Sequence, residues 1–88
     1  PLRRSPLSAV LRDAAEPHKA RGKRVEFSVG PVEGSPDRQP TILRRPEIIH
    51  GLRNLIQNAV DFAATTVEIE STWTDDMVRI RIEDDGPG

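Results

Sequence analysis

Two groups of side chains in this 88-residue sequence combine residue type and spacing in ways that suit chemistry. Asn54 and Asn58 stand four residues apart, so on a helix they stack on one face, and Asp61 joins that face seven residues after Asn54. An exposed amide offers one carbonyl oxygen and two N–H donors. Two amides facing one crevice could bind a hard cation and a phosphate together. Mg²⁺ favours a few oxygen ligands plus waters and substrate phosphates over an all-protein cage, and a single Asn oxygen suits that habit. The second group is Asp84-Asp85-Gly86-Pro87-Gly88, an Asp-x-Gly-x-Gly pattern following a strand-like run. Its glycines permit positive φ and a close approach of ligand to backbone. A fixed carboxylate beside them can accept a hydrogen bond from a ligand amine, such as the exocyclic amine of adenine. Taken separately, the first pattern is also what an ordinary polar helix face looks like, and the second what an ordinary turn looks like.

The elements that must position these groups are readable from periodicity. The clearest is a helix opened by Arg45-Pro46 and running to about Ala63. Ile48, Leu52, Leu55, Ile56, Ala59, Val60 and Ala63 fall on one broad apolar stripe, with Arg53, Asn54, Gln57, Asn58 and Asp61 opposite. Val67, Ile69, Ser71 and Trp73 then alternate with polar residues. Thr74-Asp75-Asp76 reads as a turn, and Val78, Ile80 and Ile82 alternate against Arg79, Arg81 and Glu83. Those two runs predict an antiparallel hairpin. Upstream, Ser5-Pro6 reads as an N-cap and first helical residue, followed by Leu7, Val10, Leu11, Ala14 and Ala15 at helical spacing. Pro17 interrupts that helix before the stop at Arg21-Gly22-Lys23. Arg24 to Val29 alternates as a strand, Gly30 to Pro40 is a loop, and Thr41 to Arg44 is a short strand. Counting the loop, the order is helix, strand, loop, strand, helix, strand, strand. It predicts an α+β fold, a two-layer α/β sandwich with three to four strands covered on one face by two helices.

Composition narrows the function. Thirteen basic and fourteen acidic residues give a net charge of −1, which argues against a nucleic-acid partner. Charge is uneven: residues 1 to 44 carry nine basic and five acidic groups, and residues 45 to 88 carry four and nine. Glu83, Asp84 and Asp85 crowd together, which costs free energy unless a cation, a donor or water relieves them. The absence of cysteine excludes disulfides, thiolate metal sites and a Cys nucleophile. His18 and His50 are too far apart in sequence to suggest a local zinc motif. No apolar run approaches the roughly 20 residues that a membrane-spanning helix needs.

An Asn-bearing amphipathic helix, then a hairpin, then Asp-x-Gly-x-Gly is a specific order. Leu52-Arg53-Asn54-Leu55-Ile56-Gln57-Asn58-Ala59-Val60-Asp61-Phe62-Ala63, within residues 50–63, resembles the N box of sensor histidine kinases. Residues 84–88 resemble their G1 box. Both boxes belong to the wider Bergerat ATP-binding superfamily shared with gyrase, Hsp90 and mismatch-repair ATPases. The resemblance covers residues 41 to 88 well, and residues 6 to 29 fit the opening helix and strand of the same domain. Asn-Ala-Val-Asp-Phe-Ala resembles in particular the RegB/PrrB/ActS group of redox-responsive sensor kinases. The resemblance implies ATP and Mg²⁺ as cofactors. Asn58 would coordinate Mg²⁺ on the ATP phosphates, Asn54 would line the phosphate side, and Asp84 would bind the adenine amine. Gly86 and Gly88 would shape the backbone around the nucleotide. Ala59, Val60 and Phe62 stand near the adenine position, with core packing as their expected role.

Two departures from the family pattern carry weight. Asp61 stands where many histidine kinases have Lys or Arg, which leaves phosphate contact there in doubt. ATP-hydrolysing relatives carry Glu four residues before the metal-binding Asn; Asn54 cannot act as a general base, which favours phosphotransfer over hydrolysis. The implied parent is a protein-histidine kinase. It would transfer the γ-phosphoryl to a histidine in a separate dimerisation domain, and from there to a response regulator. The alternatives are an ATP-hydrolysing clamp and an inert fragment. Residues 1–88 contain no F box, second glycine box or lid sequence, and no phosphoacceptor motif. Residues 1–88 are therefore expected to be the N-terminal part of a catalytic ATP-binding domain, with weak or absent nucleotide binding and no kinase activity alone. The parent is expected to be anchored in a bacterial inner membrane with this domain on the cytoplasmic side. An open strand edge would invite self-association.

Overall fold

Apolar alternation and helical spacing account for most of the elements in the computed structural model, which describes residues 3–16 and 22–87. In chain order they are β1 (Arg4–Pro6), α1 (Leu7–Ala15), β2 (Arg24–Pro31), β3 (Thr41–Leu43), α2 (Pro46–Phe62), β4 (Thr66–Trp73) and β5 (Val78–Asp84). Strands β2, β4 and β5 form a three-stranded sheet in that order. β2 runs parallel to β4, with Arg24 opposite Thr66, and β4 and β5 form the expected antiparallel hairpin, with Val67 opposite Asp84. β1 and β3 make a separate two-stranded antiparallel ribbon.

The core lies between the helices and one face of the larger sheet. α1 contributes Leu7, Val10, Leu11, Ala14 and Ala15; α2 contributes Leu52, Ile56, Ala59 and Val60. Val67, Ile69, Ser71 and Trp73 face them from β4, all buried, and Val25, Phe27, Val29, Ile80 and Ile82 pack at the margins. The buried Ser71 hydroxyl donates to the Arg79 carbonyl at 3.2 Å, and Trp73 Nε1 donates to the Pro36 carbonyl at 2.8 Å. Both polar groups thus stay satisfied inside the apolar layer. Trp73 is thus a packing residue.

The N-terminal region departs from the sequence reading. Ser5 does not cap α1; it lies in β1, where its hydroxyl accepts a hydrogen bond from Arg44 Nε at 2.6 Å. Arg44 also pairs with Asp13 of α1 at 2.5 Å, tying ribbon to helix. The cap comes from the loop after β2. Gln39 Oε1 accepts from the Ser8 N–H, and the Leu7 N–H donates to the Pro40 carbonyl at 3.0 Å. The order therefore begins with a strand, and the strands divide into sheets of three and two rather than forming one sheet. α1 ends at Ala15, two residues before Pro17, whose missing N–H cannot extend it. Pro17, His18 and Arg21 lie outside the described residues, as does Gly88.

α2 keeps its predicted bounds to within one residue. Pro46 occupies the first turn after an extended Arg45, and Glu47 complements the positive end of the helix dipole. Its apolar stripe is narrower than the sequence suggests. Ile48 and Leu55 were expected in the core, but they are 41% and 57% exposed. At 100° per residue both sit roughly 80–100° from Ile56, the centre of the buried face. His50 is exposed.

Candidate functional site

Ile48, Leu55 and Phe62 are spaced seven apart and form a row along one edge of the α2 stripe. Phe62 is 71% exposed, so it is not the core residue its apolar character suggested. A crevice opens where this edge overlooks β5. From α2 it is lined by Leu52, Leu55, Asn58, Ala59 and Phe62, and from β5 by Ile80, Ile82 and Asp84. Its walls are thus apolar, with one amide on the helix side and one carboxylate at the strand end. An apolar slot carrying a few placed polar groups is the usual form of a small-molecule site.

Asn58 and Asp84, 26 residues apart in sequence, meet on this crevice. Asn54 lies one turn before Asn58, exposed on the same helix side but outside the crevice lining. Val60 is buried on the core side and takes no part, whereas Ala59 touches both core and crevice. Asp61 is exposed and engaged in an interaction of its own. The apolar row was legible only as hydrophobicity. Its signal is angular: residues 48, 55 and 62 drift away from the core centre toward Asn58, and surplus apolar side chains beside a polar pair mark a lined slot.

The turn after β5 is held firmly. Asp84 Oδ1 accepts from the Gly86 N–H at 2.9 Å. The Asp85 carboxylate turns the other way, toward the α2–β4 connection. Its Oδ1 accepts from the N–H groups of Ala64 and Thr65 at 2.9 Å and of Thr66 at 3.0 Å, and its Oδ2 from the Thr65 hydroxyl. Successive backbone N–H groups converging on one oxygen form an anion-binding nest. These donors, the Thr65 hydroxyl first, hold the Asp85 carboxyl well below the usual carboxylate range. The crowding of acids is relieved in this way, while Glu83 pairs with Arg81. The sequence assigned Asp85 no role.

Gly86 is glycine for a different reason from the one expected. Its φ is not positive; among described residues only Gly22 and Gly34 have positive φ. A Cβ at Gly86 would instead lie 1.9 Å from the Phe62 carbonyl oxygen and 2.9 Å from Asp84 Oδ1. The turn after β5 therefore abuts the last residue of α2.

A divalent cation would find one amide oxygen here, at Asn58. Among the described residues no group of three His, Asp or Glu side chains could hold a metal. The donor set fits an ion that brings most of its oxygens from water and phosphate, as Mg²⁺ does.

Fold and crevice define a class: an open α/β sandwich with its candidate site between an Asn-bearing helix and an Asp-x-Gly turn. Residues 44–88 match the family of histidine kinase-, DNA gyrase B- and HSP90-like ATPases, and the chain belongs to that family. Two proteins from Cereibacter sphaeroides, each named sensor histidine kinase RegB, are 66% and 64% identical over 87 residues. Those matches cover 99% of this chain, which spans 19% of the length of either relative. Among solved structures, the nucleotide-free catalytic domain of histidine kinase ThkA aligns with a TM-score of 0.55 at 22% identity, covering 93% of this chain and 56% of that one. The fold is that of a histidine-kinase catalytic domain. No helix among the described residues is long and apolar enough to cross a membrane.

Proposed function

We propose that residues 1–88 form the N-terminal part of the catalytic ATP-binding domain of a sensor histidine kinase. The observation that carries this reading is the meeting of Asn58 and Asp84 on one crevice with apolar walls. Adenine fits between Leu55 and Phe62 on one side and Ile80 and Ile82 on the other, with its exocyclic amine donating to Asp84. The phosphates then lie toward Asn58 and Asn54. Mg²⁺, when bound, neutralises charge on the transferred phosphoryl group. Asn58 would hold the ion through its amide oxygen, and Asn54 would orient the phosphates as a donor. Gly86 and Gly88 would shape the backbone around the nucleotide, Gly86 by letting the turn after β5 close against Phe62.

The protein supplies position and charge rather than covalent chemistry. Asn54 cannot deprotonate water at neutral pH, so the site favours a protein acceptor: a histidine in a dimerisation domain, then an aspartate of a response regulator. An ATP-hydrolysing clamp would want a carboxylate at position 54. The similarity to two RegB sensor kinases supports this reading, and with it we place the domain on the cytoplasmic side of a membrane-anchored parent.

The test is autophosphorylation of the full-length protein with γ-labelled ATP. Asn58→Ala and Asp84→Ala are each expected to abolish label incorporation; normal incorporation by either sinks the assignment. Steady phosphate release without any phosphohistidine would favour the clamp instead.

The 88-residue chain alone has a second proposed property. Among the described residues β5 has a strand neighbour on one side only, so its outer edge can pair with a second copy.

A further inference from the structure

Asp84 is useful to a base-binding site only if it is held at a set distance from the α2 wall. The two belong to different elements. Asp85 seats its carboxylate in the nest formed by the N–H groups of residues 64, 65 and 66, the connection that leaves α2. Its own N–H donates to the Thr66 carbonyl at 3.2 Å. Next to it, Gly86 rests against the Phe62 carbonyl. The end of β5 is thereby latched to the end of α2, one residue beyond Asp84 and two residues beyond Phe62.

We propose that Asp85 is a positioning residue that fixes Asp84 against the α2 wall and so sets the preference for amino-purine over oxo-purine nucleotides. The proposal rests on the reading of Asp84 as the acceptor for the adenine amine. The latch is solvent-exposed, so water can replace the carboxylate at the three N–H groups when it is removed. The fold then persists while the spacing relaxes. A geometric role can therefore be separated from a structural one.

The experiment compares ATP with inosine triphosphate, which lacks the exocyclic amine, in equilibrium binding to the full-length protein. The wild type, Asp84→Asn, Asp85→Ala, Asp85→Asn and Thr65→Val are measured, with thermal melts on each. The wild type is expected to favour ATP at least tenfold. Asp85→Ala should bring that ratio to within about threefold of unity by losing ATP affinity, with inosine triphosphate little changed. Asp85→Asn keeps one acceptor oxygen for the nest and should recover most of the ratio. Thr65→Val, which removes only the hydroxyl donor, should lower it by a smaller factor. An Asp85→Ala protein that keeps the wild-type ratio, or that loses both nucleotides equally, overturns the proposal. If Asp85→Ala does not fold, an unchanged ratio in Thr65→Val overturns it and a lowered one supports it. A wild type that does not discriminate, with Asp84→Asn behaving identically, overturns the Asp84 reading and takes this inference with it.

Discussion

Adjacent acids in this chain have opposite tasks. Asp84 looks into the crevice and Asp85 away from it, and the difference is set by which backbone donors each one faces. Because hydrogen bonds to its charged form depress the folded-state pKa of Asp85, its contribution to stability is complete above about pH 4, the ordinary Asp value. It is lost as pH falls below that. Thermal melts from pH 7 to pH 2 should show an acid-side fall in Tm for the wild type that is shallower in Asp85→Asn. Identical slopes would remove the latch from the acid response. Gly86→Ala places a Cβ within 1.9 Å of the Phe62 carbonyl, a backbone atom with little room to retreat. A destabilisation of about 1–3 kcal/mol is expected from such overpacking, read by chemical denaturation. A neutral result would mean that the turn after β5 can shift freely.

At the level of elements, the two helices are held by different means. α2 carries its own start, Pro46 after an extended Arg45, and its stripe made it legible to within a residue. α1 is capped from 31 residues away by Gln39. Gln39→Ala should therefore cost about 1 kcal/mol in denaturant unfolding, the usual value of a lost cap. A cost near zero would argue that water replaces the amide. That long-range cap explains why Ser5-Pro6, a good local start signal, misled. The true cap is invisible to any local window, and the ladder with β3 draws Ser5 into a strand that lacks β-formers. The hairpin and the Asn helix were legible because periodicity encodes them, and the nearness of Asn58 to Asp84 because the order of motifs resembles a known family. The latch at Asp85 and the close approach at Gly86 were not. Both depend on how two chain segments meet, and nothing in the spacing of Asp85 reveals a nest formed by residues 64–66.

Across the whole molecule, the three-stranded sheet ends in an open strand. An antiparallel pairing of two β5 strands centred on Ile82 would set Arg81 of one copy opposite Glu83 of the other, twice over. Light scattering of the 88-residue chain is expected to show a concentration-dependent dimer, and Arg81→Glu should return it to monomer by opposing like charges. A monomer at every concentration would count against this edge as an interface. The parallel pairing of β2 with β4 bears on synthesis rather than assembly. Arg24 and its partner Thr66 are separated by 42 residues, so β2 leaves the ribosome before its partner does. At translation rates of about 5–20 residues per second the wait is roughly 2–8 s. During that interval the strand lacks its β4 neighbour, and the charges of Arg24 and Glu26 with the terminal Pro31 disfavour pairing with a neighbouring nascent chain.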